Sequence, residues 1–278
     1  MVLQDTRIPF YKMHGGGNDF VLIDNRARFI PEAEQPQFAR RVCRRRMGVG
    51  ADGLILIEDS TQADFKWRFY NADGSEPEMC GNGGRCAARF AVLNGIAPET
   101  LSFETLAGLI RAEVRDRRVK ITLTGVGDFN LHTSIPLEAE TLVGHCARVG
   151  VPHVVVPVDD LELAPVTHWG RMIRFHSLFQ PAGTNVNFIR FKGPREVEIR
   201  TYERGVEDET LACGTGAVAA ALIAALLGKA GSPVTVHTRG GEVLTVYFKP
   251  QGEAFTQIYL EGDAVVVYQG DLWVDELK

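Results

Sequence analysis

The sequence predicts an α+β protein made of two halves with similar folds, and three observations favour this class. Short apolar or alternating stretches are numerous and indicate strands. The pattern Cys-Gly-x-Gly, followed three residues later by Ala-Ala, occurs twice, at 80–88 and 213–221. The helix predicted over 216–228 is apolar on nearly every side, so it must be surrounded, and a curved sheet is the expected wrapper.

Length and composition are those of an ordinary globular protein. The 278 residues, 45% hydrophobic and 23% charged, are enough for two domains with cores of their own. The net charge of −5 argues against a nucleic-acid partner, because phosphate binding needs a concentrated basic face. The most apolar stretch, 217–227, is far shorter than the roughly 20 residues that cross a bilayer. Because residues 1–12 contain no apolar signal segment, we expect a cytoplasmic location and no membrane partner.

Helix, loop and strand signals follow one another along the chain. The basic run at 40–46 is expected to end a solvated helix, where cations meet the negative end of the helix dipole. The segment 48–53 fits Gly-x-Gly-x-x-Gly, but a helix precedes it and a strand follows, the reverse of a dinucleotide-binding turn. We interpret it as a helix-to-strand connection. Strands are expected at 53–58, 65–70, 119–124, 154–157, 197–202, 234–237 and 254–260. The helix that follows the first cysteine is expected to reach residue 95, and the boundary between the two halves is expected at 125–128.

Both cysteine motifs belong to a longer repeated unit. Each is preceded by an alternating strand, at 65–70 and 197–202, and by a polar, glycine-containing loop. The unit is therefore strand, loop, Cys-Gly-x-Gly, helix. Two copies of it predict two halves of similar fold that face each other across a ligand-binding cleft.

Cys80 and Cys213 are candidate catalytic groups because each stands where a helix begins. There the sulfur meets unpaired backbone N–H groups and the positive end of the dipole, which should lower the thiol pKa. The glycines that follow let the backbone approach a ligand, and a carboxylate fits the inward-pointing amides. Two such cysteines suit inversion at an amino-acid Cα, since a thiolate removes the proton from one face and a thiol returns one from the other.

Other interpretations of the cysteines compete with this one. A single buried cysteine beside a helix is more often a packing residue, and the duplication is what favours catalysis. Cys43, Cys86 and Cys146 lack the Cys-Gly-x-Gly context and are interpreted as structural. A thiol switch would join Cys80 and Cys213 as a disulfide. Zinc and iron–sulfur sites are disfavoured because spaced ligands are lacking, and no context marks a Schiff-base lysine.

Six spaced motifs carry a resemblance to a known family. They are Met-His-Gly-Gly-Gly-Asn-Asp-Phe at 13–20, Gly-Val-Gly-Ala-Asp-Gly at 48–53, Tyr-Asn-Ala-Asp-Gly-Ser at 70–75, Met-Cys-Gly-Asn-Gly-Gly-Arg-Cys at 79–86, Gly-Thr-Asn-Val-Asn-Phe at 183–188, and Tyr-Glu-Arg-Gly at 202–205 leading to Thr-Leu-Ala-Cys-Gly-Thr-Gly at 210–216. Through these motifs the chain resembles diaminopimelate epimerases over nearly its whole length.

The resemblance implies an isomerase that uses no pyridoxal phosphate, other cofactor or metal and interconverts LL- and meso-2,6-diaminopimelate for lysine and peptidoglycan synthesis. It implies two pseudo-symmetric domains, each a mixed, mostly antiparallel sheet rolled around a central helix, and a homodimer. The expected domains are 1–125, which carries Cys80 and is completed by the tail 266–278, and 126–265, which carries Cys213. Tyr268 in that tail is expected near the dimer contact.

The resemblance also assigns site residues. Cys80 and Cys213 match the catalytic pair, and the implied substrate-binding residues are Asn18, Asn71, Gly81, Asn82, Asn185, Glu203, Arg204, Gly214 and Thr215. The amides at 81–82 and 214–215 would hold the reacting carboxylate, Glu203 the reacting ammonium and Arg204 the distal carboxylate, with His153 as a supporting residue. Outside these motifs, the asparagines would be ordinary turn residues, Glu203 and Arg204 an exposed ion pair, and His153 a satisfied core histidine.

Two positions depart from the family's pattern. Val151 stands where asparagine is frequent, and valine cannot hydrogen-bond a substrate. Gly53 stands where some members have glutamine, a minor variation. The nearest alternative is a proline or hydroxyproline epimerase of the same fold. Such an enzyme needs no second amino-acid site, so the matched asparagines and Arg204 favour the longer substrate.

Overall fold

Strands dominate the computed structural model, which describes residues 7–138, 140–252 and 254–273. In chain order its elements are β1 (Arg7–Gly15), β2 (Asn18–Asp24), α1 (Gln35–Val42), β3 (Gly53–Glu58), β4 (Phe65–Asn71), α2 (Gly81–Leu93), β5 (Thr100–Thr105), β6 (Gly108–Arg115), β7 (Arg118–Thr122), β8 (Val126–Pro136), β9 (Thr141–Val149), β10 (Val151–Pro157), α3 (Val166–Arg174), β11 (Asn185–Gly193), β12 (Glu196–Glu203), β13 (Asp208–Thr210), α4 (Gly214–Leu226), β14 (Val234–Thr238), β15 (Val243–Gln251), β16 (Ala254–Asp263) and β17 (Val265–Trp273). Single 3₁₀ turns lie at Glu32–Glu34 and Ser177–Phe179.

The chain divides into two compact units. The first unit comprises the residues up to Ile121 and those from Asp263 onward, and the second unit runs from Thr122 to Gly262. The segment 125–128, expected as the boundary, lies at the start of β8. Residues 274–278 of the expected C-terminal tail lie outside the described residues, as do residues 1–6, on which the expectation of no signal segment partly rests.

The first unit is a mixed sheet around α2. Its strand order is β17, β1, β2, β3, β4, β5, β6, β7, in which β2–β3 and β4–β5 pair in parallel and the other neighbours are antiparallel. Ala87 and Phe90 of α2 are buried in one core with Trp67 and Phe103 from the sheet. The other face of the sheet packs against α1 through a separate core that includes Ala39.

The second unit repeats this plan around α4. Strands β8, β9, β10, β11, β12, β14, β15 and β16 follow one another, with parallel pairs at β10–β11 and β12–β14, and β13 also pairs with β12. Every residue of α4 from Gly216 to Ala224 is buried, since the helix has no polar face to turn toward water. Helix α3 covers the opposite face, where Gly170 lies against Tyr202 so closely that a Cβ would overlap that ring.

The predicted class and the sheet around a central helix in each half are confirmed. Helices α2 and α4 end at Leu93 and Leu226, slightly before the predicted ends, because Gly95 (φ +65°) and Gly228 (φ +67°) turn the backbone into the left-handed region. The strand expected to reach 124 ends at Thr122. The basic run does end a helix, with Arg40 and Arg41 in the last turn of α1, and the Gly-x-Gly-x-x-Gly segment does connect α1 to β3.

Candidate active site

The two cysteines occupy the same local position in their units. Cys80 caps α2 with an extended backbone (φ −140°, ψ 115°), and its Sγ accepts a hydrogen bond from Gly83 N at 3.4 Å. Cys213 caps α4 in the same conformation (φ −126°, ψ 109°), and its Sγ accepts from Gly216 N at 3.4 Å. Each sulfur therefore lies at the positive end of a helix, beside amides that have no intrahelical acceptor, as the repeated motif predicted.

The environments of the two sulfurs differ. Cys80 is half-buried, whereas Cys213 is only 8% exposed. Burial raises the pKa of the Cys213 thiol to about 12, and the Glu203 carboxylate adds to this, while hydrogen bonds from Thr215 and from the Gly216 amide oppose it. The expected lowering of the thiol pKa by the helix start is thus wrong for Cys213, because desolvation outweighs the dipole. Cys213 is a thiol at neutral pH.

The polar groups near Cys80 form a chain of side-chain hydrogen bonds. Asn82 Nδ2 donates to Asn18 Oδ1 at 2.7 Å, and Asn18 Nδ2 donates to Asp52 Oδ2 at 3.2 Å. At the other end Arg85 donates to Asn82 Oδ1 at 3.0 Å. Since arginine can only donate and a carboxylate can only accept, the two ends fix how both amides are turned. The structure thereby brings the predicted residues Asn18 and Asn82 to the start of α2.

Asn71 lies at the end of β4, opposite Gly53 of β3. Its side-chain Nδ2 donates to Ser75 Oγ at 2.9 Å within the following turn. That contact is the local turn bond expected of a loop asparagine. Among the described residues Asn71 is not part of the Asn18–Asn82 hydrogen-bond chain, so its part in a site remains a prediction.

The predicted residues His153, Asn185, Glu203 and Arg204 lie in or next to β10, β11 and β12, and Glu203 is near enough to Cys213 for its charge to act on the thiol. Asn185 lies opposite His153 in the parallel pair of β11 and β10, and its Oδ1 accepts from the Arg204 amide at 2.8 Å. The Arg204 guanidinium donates to Ala182 O at 2.9 Å. Glu203, at the end of β12, has its carboxyl pKa raised by burial. An exposed Glu203–Arg204 ion pair, the alternative weighed from the sequence, is not what these contacts describe.

His153 is buried, and burial together with the nearby Arg204 charge lowers its pKa to about 3. The ring is therefore neutral at physiological pH. Its Nδ1 lies 3.2 Å from Asn187 Nδ2, while Nε2 has no hydrogen-bond partner among the residues that the structure describes. A satisfied core histidine would have both nitrogens paired, and the described residues supply a partner for Nδ1 but not for Nε2.

Sequence reasoning assigned no role to four residues that join these clusters, namely Asp52, Arg85, Asn187 and Thr201. Asp52, Arg85 and Asn187 stand inside the motifs quoted for the resemblance, so their motif positions were the available signal. The contact of Arg85 with Asn82 joins residues three apart on α2, whereas the partners of Asp52, Asn187 and Thr201 were not readable because they lie on other segments, as Asn18 does for Asp52.

The sequence model described as diaminopimelate epimerase matches residues 10–129 and 145–267. A protein named diaminopimelate epimerase from Aquifex aeolicus is 48% identical over 282 aligned positions, which cover 98% of this chain and 100% of the relative. The chain belongs to the diaminopimelate epimerase family. Each of the two matched segments contains one Cys-Gly-x-Gly motif of this chain.

Solved structures with lower sequence identity share the fold. A PhzF-family phenazine biosynthesis protein from Bacillus anthracis superposes with a TM-score of 0.74 at 18% identity, covering 96% of this chain and 99% of that one. A hydroxyproline epimerase from Agrobacterium vitis gives a TM-score of 0.70 at 18% identity, covering 99% of this chain and 94% of that one. At this identity the likeness concerns the fold alone.

The described residues also bear on disulfides, membrane-spanning helices and metal-ligand clusters. All five cysteines lie in the described ranges, and none of them forms a disulfide there. Within residues 7–138, 140–252 and 254–273, no helix is long and apolar enough to cross a membrane. The same described ranges contain no cluster of three or more His, Cys, Asp or Glu side chains placed as metal ligands.

Proposed function

We propose that this chain is an epimerase that interconverts LL- and meso-2,6-diaminopimelate, with Cys80 and Cys213 as its two acid–base groups and no cofactor. The observation that carries the proposal is the matched capping of α2 and α4 by these cysteines. We place the enzyme in the cytoplasm as a homodimer, in the synthesis of lysine and peptidoglycan. The two catalytic groups then come from two domains, 1–125 with the tail 266–278, and 126–265.

The chemistry follows from the protonation of the pair. One cysteine must be a thiolate and the other a thiol in each direction of the reaction. Because burial raises the pKa of Cys213, we assign Cys213 as the starting acid and Cys80 as the starting base. For the reverse direction Cys213 must ionise. A substrate ammonium bound to Glu203 assists this step, since it neutralises the carboxylate that opposes the Cys213 thiolate.

The backbone amides at the starts of α2 and α4 stabilise the substrate's negative charge. The amides of Gly81 and Asn82 in α2, and of Gly214 and Thr215 in α4, belong to first turns and have no intrahelical acceptor. They are suited to hold the α-carboxylate and to stabilise the negative charge that develops on it when the α-proton leaves. This electrostatic support matters because the α-proton of an amino acid is very weakly acidic.

We assign the other residues of the matched motifs to the distal end of the substrate. Arg204 would hold the distal carboxylate, and Asn185 orients the Arg204 backbone through its Oδ1. Asn18, Asn71 and Asn185 supply neutral donors and acceptors for the distal amino-acid group. A proline or hydroxyproline substrate has no such group, and the family match favours diaminopimelate over this alternative.

The proposal is tested by a cofactor-free assay in which purified protein is mixed with LL-diaminopimelate, proline or hydroxyproline and the stereoisomers are separated. We expect conversion of diaminopimelate alone. Arg204→Ala should raise KM about 10–100-fold with a smaller change in kcat, because a charge-assisted contact to the distal carboxylate is lost. Arg204→Lys is the matched control and should recover part of the affinity. Conversion of proline but not diaminopimelate would contradict the substrate assignment.

A further inference from the structure

Asn187 lies at the centre of a buried polar cluster in the second unit. It is fully buried on β11, and its side chain makes three contacts. Nδ2 donates to Val154 O at 3.0 Å and lies 3.2 Å from His153 Nδ1, while Oδ1 accepts from Thr201 Oγ1 at 3.0 Å. All four residues lie within the same unit, so the cluster is a local feature of β10, β11 and β12.

These contacts fix which way the Asn187 amide is turned. A backbone carbonyl can only accept, so the atom facing Val154 O must be the nitrogen. The second hydrogen of that nitrogen then points to His153 Nδ1, which must offer a lone pair. A neutral imidazole carries one proton, and with Nδ1 unprotonated the proton belongs to Nε2.

The Nε2 atom of His153 is withdrawn from solvent and has no hydrogen-bond partner in the described part of the chain. Neutral side chains that are buried with an unpaired N–H are rare in proteins, because the donor loses its water without replacement. An acceptor from a bound ligand would satisfy it. The ring stays neutral at physiological pH, since its pKa is lowered to about 3 by burial and by Arg204.

We propose that Asn187 is a positioning residue that locks His153 in the Nε2–H tautomer, so that His153 presents a fixed hydrogen-bond donor, not a base, to a carboxylate oxygen of the ligand. The identity of that ligand as an amino acid rests on the proposed function, whereas the tautomer does not. Asn187 acts through His153 and need not touch substrate.

The same amide also supports the second cysteine helix. A Cβ at Gly216 would overlap Asn187 Oδ1, so α4 begins directly against this side chain. Gly216 in turn donates its N–H to Cys213 Sγ. The orientation of His153 and the position of the Cys213 cap are therefore set by one buried amide, which explains why a glycine is needed at 216.

The first test reads the tautomer directly in the full-length protein without substrate. Long-range ¹H–¹⁵N NMR of ¹⁵N-histidine-labelled protein distinguishes a protonated from an unprotonated ring nitrogen, and a His153→Gln sample assigns the signal. We expect Nε2 protonated and Nδ1 unprotonated, unchanged between about pH 6 and 8. A proton on Nδ1 in the wild-type protein would overturn the proposal, whatever the enzyme's substrate proves to be.

The second test changes the positioning group. Asn187→Asp replaces the donor by an acceptor, so His153 Nδ1 should gain a proton and kcat should fall about 10–100-fold, the usual range for residues that orient a functional group. Thr201→Val is the matched control: it is equally buried and loses one bond to Asn187 but leaves Nδ2 in place, so the tautomer should persist. If Asn187→Asp does not fold, Asn187→Ala should give a mixture of tautomers. Full kcat or an unchanged tautomer in either Asn187 variant would overturn the role.

Discussion

The helices α2 and α4 begin with the same cap and continue in different surroundings. Both cysteines have extended backbones and accept from the amide three residues on, at 3.4 Å. Around Cys80 the neighbours are polar, with Asn82 linked to Asn18 and Arg85, and the thiol is half-buried. Around Cys213 the helix carries only apolar residues beyond Thr215, burial raises the thiol pKa, and the partly buried Glu203 carboxyl adds to this.

A helix start is often assumed both to position a cysteine sulfur and to lower its pKa, and Cys213 shows that the first property does not bring the second. The motif fixes where the sulfur lies and which amides face it. The protonation state is set by desolvation and by neighbouring charge, and for Cys213 these outweigh the dipole. The proposed two-base reaction needs one of the two cysteines protonated, and the raised pKa of Cys213 suits it to that part.

The largest expected difference is in thiol reactivity. A thiol with a pKa of about 12 has on the order of 10⁻⁴ of its molecules as thiolate at pH 8, and Cys213 is also shielded by burial. We therefore expect iodoacetamide to modify Cys80 at least about 100-fold faster than Cys213 in the substrate-free protein. Peptide mapping by mass spectrometry over a time course measures both rates. Equal rates would show that the two environments do not differ as described.

The two units should also differ, by a smaller amount, in how much the free energy of unfolding falls when the glycine that donates to each sulfur is replaced by alanine. At Gly83 a Cβ would lie 3.2 Å from Ile55 Cδ1 and 3.3 Å from Trp67 Cζ3, side-chain atoms that can shift slightly. At Gly216 it would overlap the held amide of Asn187. We expect Gly216→Ala to reduce the free energy of unfolding by about 1–3 kcal/mol and Gly83→Ala by less than about 1 kcal/mol. Urea unfolding compares them, and a reversed order would contradict the account of Asn187.

The smallest expected effect concerns Glu203. Its negative charge disfavours the Cys213 thiolate, so Glu203→Gln should lower the pKa of Cys213, although burial remains the larger cause. In a Cys80→Ala background, the alkylation rate of Cys213 at pH 8 should rise a few-fold, since the thiolate fraction grows as the pKa falls. Glu207→Gln, another carboxylate near the end of β12, serves as the control. A slower rate in Glu203→Gln would give the opposite sign and rule out the electrostatic coupling.

The sequence predicts the fold well because the relevant signals are local. Alternating strands, the cysteine caps and the apolar run of α4 depend on near neighbours in the chain, and the structure has them at nearly the predicted bounds. The raised pKa of Cys213 depends on burial of the sulfur and on Glu203, which no local pattern reveals. The Asn187 contacts join β10, β11 and β12, and only the strand register places His153, Asn187 and Thr201 together.

The most direct test of the two-base proposal is deuterium incorporation at Cα, followed by NMR, when LL-diaminopimelate is converted in D₂O by the wild-type protein and by Cys80→Ala and Cys213→Ala. We predict that the meso product formed by the wild type carries solvent deuterium at the inverted carbon and that each variant loses epimerisation by about 10³-fold or more. Retention of the original hydrogen in the product, or full epimerisation by either variant, would contradict the assignment of Cys80 and Cys213 as the acid–base pair.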